Sequence, residues 1–327
     1  MHALPIIKNF ELYFFASVKM INLNEIRKLP PLPFQGNKSA GRKKFLEFLC
    51  KIVDGDSMIF VDLFGGSFYL SYLVHKVFPQ SKIICNDYDN YMERIKNIKK
   101  TNELLDEIKE LTKDAEKNKR LDDKYKEQID ELLDKQEGYI DWLTLSASLL
   151  YSSRYATNKE DFIERVYWNR MVKKPYNEDI EEYIGGIDFV SKDWFELFED
   201  YCGLENVIFL ADPPFYKTSN FGFAGTNWTI TDSLHTLEIL KTPYFAYYTS
   251  TKSGMTEIIN FMLEQGVPIN EYETFIYKRR TLSKQTKENL EVILYRFDEY
   301  VDEEEEEEAY EEGEEEDTHE TQEVLEE

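Results

Sequence analysis

Residues 58–64, Met-Ile-Phe-Val-Asp-Leu-Phe, form a short apolar run broken only by Asp62 and closed by Gly65-Gly66. Such a run is too short for a core helix and too apolar for a strand with one wet face. It reads as a strand buried on both sides that feeds a loop. A helical pattern over Tyr69–Phe78 follows and is stopped by Pro79; a second apolar run, Lys82–Cys85, ends at Asn86-Asp87. Strand, helix, strand in this order is a βαβ unit. Two further runs, Glu205–Leu210 and Tyr244–Tyr248, extend the pattern. Together they predict an α/β fold built on a doubly wound, mostly parallel sheet. The chain has 327 residues, 42% apolar and 15% aromatic, enough to cover both faces of such a sheet.

The strand pattern is interrupted once. From Tyr91 to Glu137 there is neither Gly nor Pro, and apolar residues recur at helical spacing: Leu104, Leu105, Ile108, Leu111, then Tyr125, Ile129, Leu132, Leu133. Two or more amphipathic helices are expected there, and residues 139–185 continue the insertion with more aromatics and arginines. The sheet pattern resumes near Ile187. This divides the chain into an extension (1–19), a catalytic domain (20–90 and 186–298), an inserted, largely helical region (91–185) and a tail (299–327).

The formal charge of −25 looks hostile to nucleic acid, but from Asp298 to Glu327 there are 19 acidic residues and no Lys or Arg. The remainder carries −6, so the acidity belongs mostly to a tail whose composition predicts disorder. DNA stays open as a partner, and the tail itself could engage a basic protein. No segment approaches the roughly 18 apolar residues of a membrane span. Three scattered cysteines (Cys50, Cys85, Cys202) make no disulfide framework, so a reducing, cytoplasmic location is expected.

Three loops sit at carboxyl ends of predicted strands, where open α/β sheets bind ligands. The first holds Asp62, Phe64, Gly65 and Gly66: the glycines let backbone approach a ligand, and the acid can hold an amino group. In the second, Asp87 with Tyr88 ends the next strand, 25 residues after Asp62, placed to accept ribose hydroxyls. Asp212-Pro213-Pro214-Phe215 forms the third. Two prolines fix the backbone and remove two N–H donors, leaving carbonyls and a carboxylate as acceptors beside an aromatic face. That set suits a planar base with an exocyclic amino group. Taken singly, a Gly-Gly can be a plain tight turn and an Asp at a strand end a helix cap.

In this order the motifs resemble AdoMet-dependent DNA adenine-N6 methyltransferases of the Dam-like, alpha class, especially phage-type members. The resemblance spans roughly residues 30–300. Pro31–Lys38, with Gly36, Asn37 and Lys38, is similar to the cofactor motif that precedes the sheet, and Phe60–Phe68 to the glycine-loop motif. Asn86–Asp89 resembles the ribose motif, Ser191–Trp194 with Asp193 and Trp194 the adenine-contacting motif, and Asp212–Phe215 the catalytic tetrapeptide. Lys278–Leu294 resembles the terminal hairpin. What this implies is a Rossmann-like methyltransferase fold, S-adenosyl-L-methionine as cofactor and double-stranded DNA as substrate. The target adenine would flip into the tetrapeptide pocket. The insertion falls where this class places target recognition. One departure stands out: the usual glycine two residues after Gly66 is Phe68, which could crowd a cofactor and leave a weakened or inactive DNA-binding member.

Competing chemistries fit less well. No Pro-Cys pair exists to supply a cytosine-C5 nucleophile. The span Gly36–Lys43 has the glycines of a phosphate loop without its Lys-Ser/Thr or a preceding strand. Four histidines without paired spacing predict no metal site. For DNA contacts the candidates are Arg154, Arg170, Lys173, Lys174, Arg279 and Arg280, each of which alone could be an ordinary solvated charge.

Overall fold

A computed structural model describes residues 11–12, 21–22, 25–151, 155–170, 175–215, 228–251, 253–278 and 290–297. Among them a seven-stranded sheet holds the centre: β1 (Ile59–Asp62), β2 (Lys82–Asn86), β3 (Asp188–Val190), β4 (Val207–Ala211), β5 (Tyr244–Ser250), β6 (Glu273–Lys278) and β7 (Leu290–Arg296). Their spatial order is β3-β2-β1-β4-β5-β7-β6. The first five run parallel, and β7 pairs antiparallel with both β5 and β6. The sheet is therefore the mostly parallel, Rossmann-like one expected, ending in the antiparallel hairpin expected near the terminus. The second strand continues to Asn86, one residue past its predicted end, and the fourth begins at Val207, two residues later than predicted.

The helices, in chain order, are α1 (Arg42–Leu49), α2 (Tyr69–Val77), α3 (Tyr91–Lys96), α4 (Ile98–Leu111), α5 (Asp123–Asp134), α6 (Trp142–Leu149), α7 (Lys159–Ile163), α8 (Glu181–Ile184), α9 (Trp194–Tyr201), α10 (Ile230–His235) and α11 (Met255–Glu264). Alternation along the central strands sends side chains to two apolar layers. Phe60, Ile208, Leu210, Ala246 and Tyr248 pack with Phe45 and Leu46 of α1 and Tyr72 and Leu73 of α2. Val61, Phe209, Phe245 and Tyr247 pack with Leu197 of α9, Leu237, and Ile259 of α11. Each large buried side chain contributes about 1.5–3 kcal/mol. Both faces are covered, which is why the strands read as apolar runs without polar alternation.

Residues of the insertion gather a third apolar cluster, in which Leu104, Leu105 and Ile108 of α4 meet Ile129 and Leu133 of α5, Leu145 and Leu149 of α6, Phe162 and Tyr167. Near the beginning of the chain, Glu11–Leu12 pairs antiparallel with Ile21–Asn22. Among the described residues no helix is long and apolar enough to cross a membrane.

The strand order reverses between β1 and β4. Chain direction leaves β1 toward β2 and β3, then returns to the other side of β1 as β4. Such a switch point opens a crevice at the carboxyl ends of the two strands. Asp62 ends β1, and Asp212 follows β4 directly.

Candidate active site

Asp62 is fully buried at the end of β1. Its Oδ2 accepts a hydrogen bond from the Ser71 hydroxyl at 2.8 Å, while Oδ1 has no hydrogen-bond partner among the described residues. Burial pushes its carboxyl up to about 7, and the nearby Asp212 charge pushes the same way. A buried acceptor left orphaned costs free energy unless a ligand or water completes it. A donor such as an amine or a water could complete it.

The loop after Asp62 is shaped by close approach. Gly65 N donates to Asn86 O at 3.2 Å, and a Cβ on Gly65 would lie 2.5 Å from Cys85 Sγ and 2.7 Å from Asn86 O. Only glycine fits there. Gly66 and Phe68 both adopt left-handed backbone, with φ of 50° and 62°. Glycine would be the easy choice at 68, so the phenylalanine carries strain. Its ring, however, is buried against Tyr91 (centroids 5.1 Å apart) and Phe189 (4.6 Å). The bulk that could crowd a cofactor is directed into the core.

Sequence reasoning placed Asn86 in the ribose motif without giving it a role of its own. Its Nδ2 donates to Leu63 O at 3.1 Å and to Lys192 O at 3.0 Å, and its Oδ1 accepts from Lys192 N at 3.1 Å. One buried amide thus fastens the glycine loop to the Ser191–Trp194 loop. A polar residue closing an apolar strand was the signal available. On the far side of that clamp Asp193 caps α9, accepting from Phe195 N at 2.8 Å. Trp194 packs on Phe64 (5.6 Å, 30° between planes), and Trp228, which sequence reasoning passed over, meets the same ring edge-on at 5.8 Å.

Asp87 performs the capping role that was the plain alternative to ribose binding. Its two oxygens accept from Tyr91 N at 2.6 Å and Met92 N at 3.2 Å at the start of α3. Partial burial raises its carboxyl above the ordinary range. Carboxylate oxygens have further lone pairs, so capping and hydroxyl acceptance are compatible. Tyr88 is exposed beside it.

The segment before the sheet is strapped to α3. Tyr91 OH accepts from Leu32 N at 3.0 Å and donates to Leu32 O at 3.1 Å; Arg94 Nη2 donates to Pro33 O at 2.8 Å. Phe34 sits edge-on to Tyr91 at 5.6 Å and would touch any Cβ added at Gly66. Asn37 holds the following turn, with Nδ2 donating to Phe34 O at 2.9 Å and Oδ1 accepting from the Ser39 hydroxyl at 2.5 Å.

This strap delivers Lys38 to the catalytic candidate. The Lys38 ammonium is 2.5 Å from Asp212 Oδ2 and donates to Gly36 O at 2.9 Å, with its side chain only 6% exposed. It lies 5.6 Å from the Phe215 ring centroid and 5.5 Å from that of Tyr248. Cation, carboxylate and two aromatic faces therefore form one cage. Tyr248, on β5, is buried with its hydroxyl unpartnered among the described residues. Thus Gly36, Lys38, Asp212 and Phe215, far apart in sequence, meet in one place. Pro213 is buried and Pro214 half-buried in the same loop.

Of the DNA-contact candidates, Arg170 is described and exposed. Arg154, Lys173, Lys174, Arg279 and Arg280 lie outside the described residues.

The site residues fit AdoMet: a glycine loop open to backbone approach, an orphaned buried carboxylate at the first strand end and an acidic residue ending the second. Comparison with known proteins agrees at the level of family. Residues 34–265 match the profile of the D12 class N6 adenine-specific DNA methyltransferases. A curated Haemophilus influenzae protein named "Putative methyltransferase" is 32% identical over 241 residues, covering 72% of this chain and 81% of that protein. Among solved structures, precorrin-6y C5,15-methyltransferase from Geobacter metallireducens overlaps 81% of this chain and 94% of its own. That overlap has 11% identity and a TM-score of 0.32, too loose to bear on the site.

Proposed function

The chain belongs to the D12 class N6 adenine-specific DNA methyltransferase family, and from that membership we propose that it methylates the N6 amino group of adenine in double-stranded DNA. The observation that carries this reading is Asp212 lying near Asp62 at the switch point of the sheet, with Lys38 between Asp212 and the Phe215 ring. An adenine inside a duplex is out of reach, so the base would leave the stack at a cost of roughly a few kcal/mol. Phe215 offers the face on which it stacks. Asp212 Oδ and the Pro213 carbonyl accept hydrogen bonds from the N6 hydrogens, which holds the nitrogen lone pair clear of those bonds. Bound AdoMet supplies an electrophilic methyl group. As N6 would bond to the methyl carbon, the carbon–sulfur bond of the cofactor would break to leave the neutral thioether S-adenosylhomocysteine, and the N–H directed at Asp212 would pass its proton to that carboxylate and from there to solvent. Positioning and electrostatics do the work, without a covalent enzyme intermediate.

Asp62 would hold the cofactor's amine, Asp87 and Tyr88 its ribose, and Asp193 with Trp194 its adenine. Phe64, Gly65 and Gly66 supply the backbone it rests on, and Gly36, Asn37 and Lys38 the wall leading to Asp212. We assign catalysis to 20–90 and 186–298 and target recognition to the insertion, 91–185.

Purified protein incubated with methyl-labelled AdoMet and mixed-sequence duplex DNA tests the reading. Label should appear as N6-methyladenine in the digested DNA, and Asp212→Ala should lower the rate by at least 100-fold. Absence of label in DNA, or label on another base, would overturn it.

A further inference from the structure

A buried tyrosine hydroxyl without a partner gives up the hydrogen bonds that water would supply, so each such group calls for an explanation. Among the described residues every other buried tyrosine has a partner. Tyr69 donates to Arg27 O at 2.8 Å, Tyr167 to Asp130 Oδ1 at 2.6 Å and Tyr183 to Ser67 O at 2.7 Å. Tyr72 accepts from Arg27 N, Tyr91 is bonded to Leu32 N and O, and Tyr295 donates to Glu273. Tyr247, on the opposite face of β5, shares a 2.7 Å bond with the Thr236 hydroxyl. Tyr248 is the exception: it is 1% exposed, and its hydroxyl has no partner among the described residues.

The sheet register fixes where this hydroxyl sits. Ala211 pairs with Tyr247 across β4 and β5, so the residues that follow, Asp212 and Tyr248, come side by side at the carboxyl ends of these strands. Asp62 pairs with Leu210 on the other side of β4. Alternation keeps Asp62, Asp212 and Tyr248 on the face that carries Phe60, Leu210 and Ala246. Two orphaned buried polar atoms, Asp62 Oδ1 and the Tyr248 hydroxyl, therefore flank Asp212. The Lys38 ammonium shows what this place accommodates. It is an N–H donor 2.5 Å from Asp212 Oδ2, lying 5.6 Å from the Phe215 ring centroid and 5.5 Å from that of Tyr248. Burial, with the charges of Asp212, Glu291 and Asp62, raises the Tyr248 phenol well above its ordinary range, so it remains a neutral donor.

We propose that Tyr248 is a substrate contact whose hydroxyl donates a hydrogen bond to a ring nitrogen beside the amino group of the target adenine. The proposal rests on the adenine methyltransferase reading and adds to the groups that hold N6 one that reads the ring. Acceptors such as Asp212 and the Pro213 carbonyl would hold any exocyclic amine. Adenine presents an acceptor nitrogen on either side of its amino group, N1 on one edge and N7 on the other. A phenol donor next to Asp212 matches that donor–acceptor pair. In the sequence, Tyr248 reads only as the end of an apolar strand.

The test uses the full chain and a duplex sequence shown to take up label at N6. Synthetic duplexes carry adenine, 1-deazaadenine or 7-deazaadenine at that position, each analogue exchanging one of the two nitrogens for C–H. Tyr248→Phe should lower kcat/KM on adenine roughly 5- to 100-fold, the range for one side lost from a buried hydrogen bond. With wild type, one analogue should show a loss of the same size. With Tyr248→Phe, that analogue should be methylated within about twofold of adenine, because the bond is already gone. The analogue that behaves so identifies the contacted nitrogen. Tyr248→Phe should also melt no lower than wild type, since it deletes an unpaired buried hydroxyl; a clearly lower melting point would mark the hydroxyl as structural and overturn the proposal. Activity of Tyr248→Phe within about twofold of wild type on adenine would overturn it as well. So would equal losses on adenine and both analogues, because the hydroxyl would then act on Asp212 and not on the base. If no duplex takes up label, the methyltransferase reading fails and the proposal falls with it.

Discussion

Removing the guanidinium of Arg94 should cost far more stability than its place in a charged stretch suggests. Arg94 is on α3, and its Nε lies 3.1 Å from each carboxylate oxygen of Asp141, the residue that caps α6. Their side chains are 4% and 1% exposed, so water screens neither charge. Nη2 also donates to Pro33 O at 2.8 Å and to the Thr144 hydroxyl at 3.2 Å. In Arg94→Met, Asp141 keeps the bonds from Thr144 N (3.0 Å) and the Thr144 hydroxyl (2.6 Å), but its charge stays buried without a counterion. Breaking one side of such a pair costs about 3–5 kcal/mol, which lowers the melting temperature by on the order of 10 °C in a domain of this size. Asp141→Asn should cost about as much, because it strands the guanidinium. The double variant Arg94→Met with Asp141→Leu should regain most of the loss, since both charges are then gone. Urea unfolding followed by circular dichroism gives all three values. Loss of less than about 1 kcal/mol in Arg94→Met would refute the reasoning. So would a double variant whose loss equals the sum of the singles, because that leaves no coupling between the partners.

The remaining predictions concern the site and the tail. Asp62 has a folded-state pKa near 7, above the unfolded value of about 3.9, so the fold favours its protonated form. Its ionisation erodes the stability of the cofactor-free protein progressively from about pH 4 to pH 7, and Asp62→Asn should flatten that slope in pH-dependent melts. AdoMet, if held by its amine, should bind more tightly as pH rises from 6 to 8 with proton release; calorimetry in two buffers of different ionisation enthalpy reads this directly, and a pH-independent affinity would contradict it. Gly65→Ala should destabilise the protein by roughly 1–3 kcal/mol through overpacking against Cys85 and Asn86, visible as a lower urea midpoint. Deleting residues 299–327 removes net negative charge and should tighten non-specific DNA binding most at low salt; equal affinities at every salt concentration would leave the tail no electrostatic role.

The elements legible in the sequence are those whose signal is local. Apolar runs closed by Gly65-Gly66, Pro79 and Asn86-Asp87 marked β1, α2 and β2 because strands buried on both faces carry no polar alternation. The four loops bearing Asp62, Asp87, Asp193 and Asp212 followed from strand ends and the family pattern. What stayed hidden depends on pairing across the fold. Lys38 and Asp212 have no sequence relation, and neither do Arg94 and Asp141; Arg94 sits among charges that read as solvated. Asp141 just before the apolar Trp142-Leu143 was a capping signal, but nothing local says that a cap also holds an arginine. Phe68 shows the opposite limit. Sequence reports the volume of a side chain and not its direction, and here the direction takes the ring into the core.

The strap formed by residues 32–38 bears on how freely residues 91–185 could be exchanged for those of a relative. At one end it carries Lys38 to Asp212; near the other, Pro33 is held by Arg94, whose charge is answered by Asp141 in the insertion. Both members of that pair lie within 91–185, so an insertion grafted from a relative would have to bring an arginine and an acid at these two places, or leave one of them buried without its counterion beside the segment that shapes the acceptor loop. Exchange of residues 91–185 is therefore modular only between segments that share this one fastening, and Arg94 and Asp141 are the residues to keep together when building chimeras.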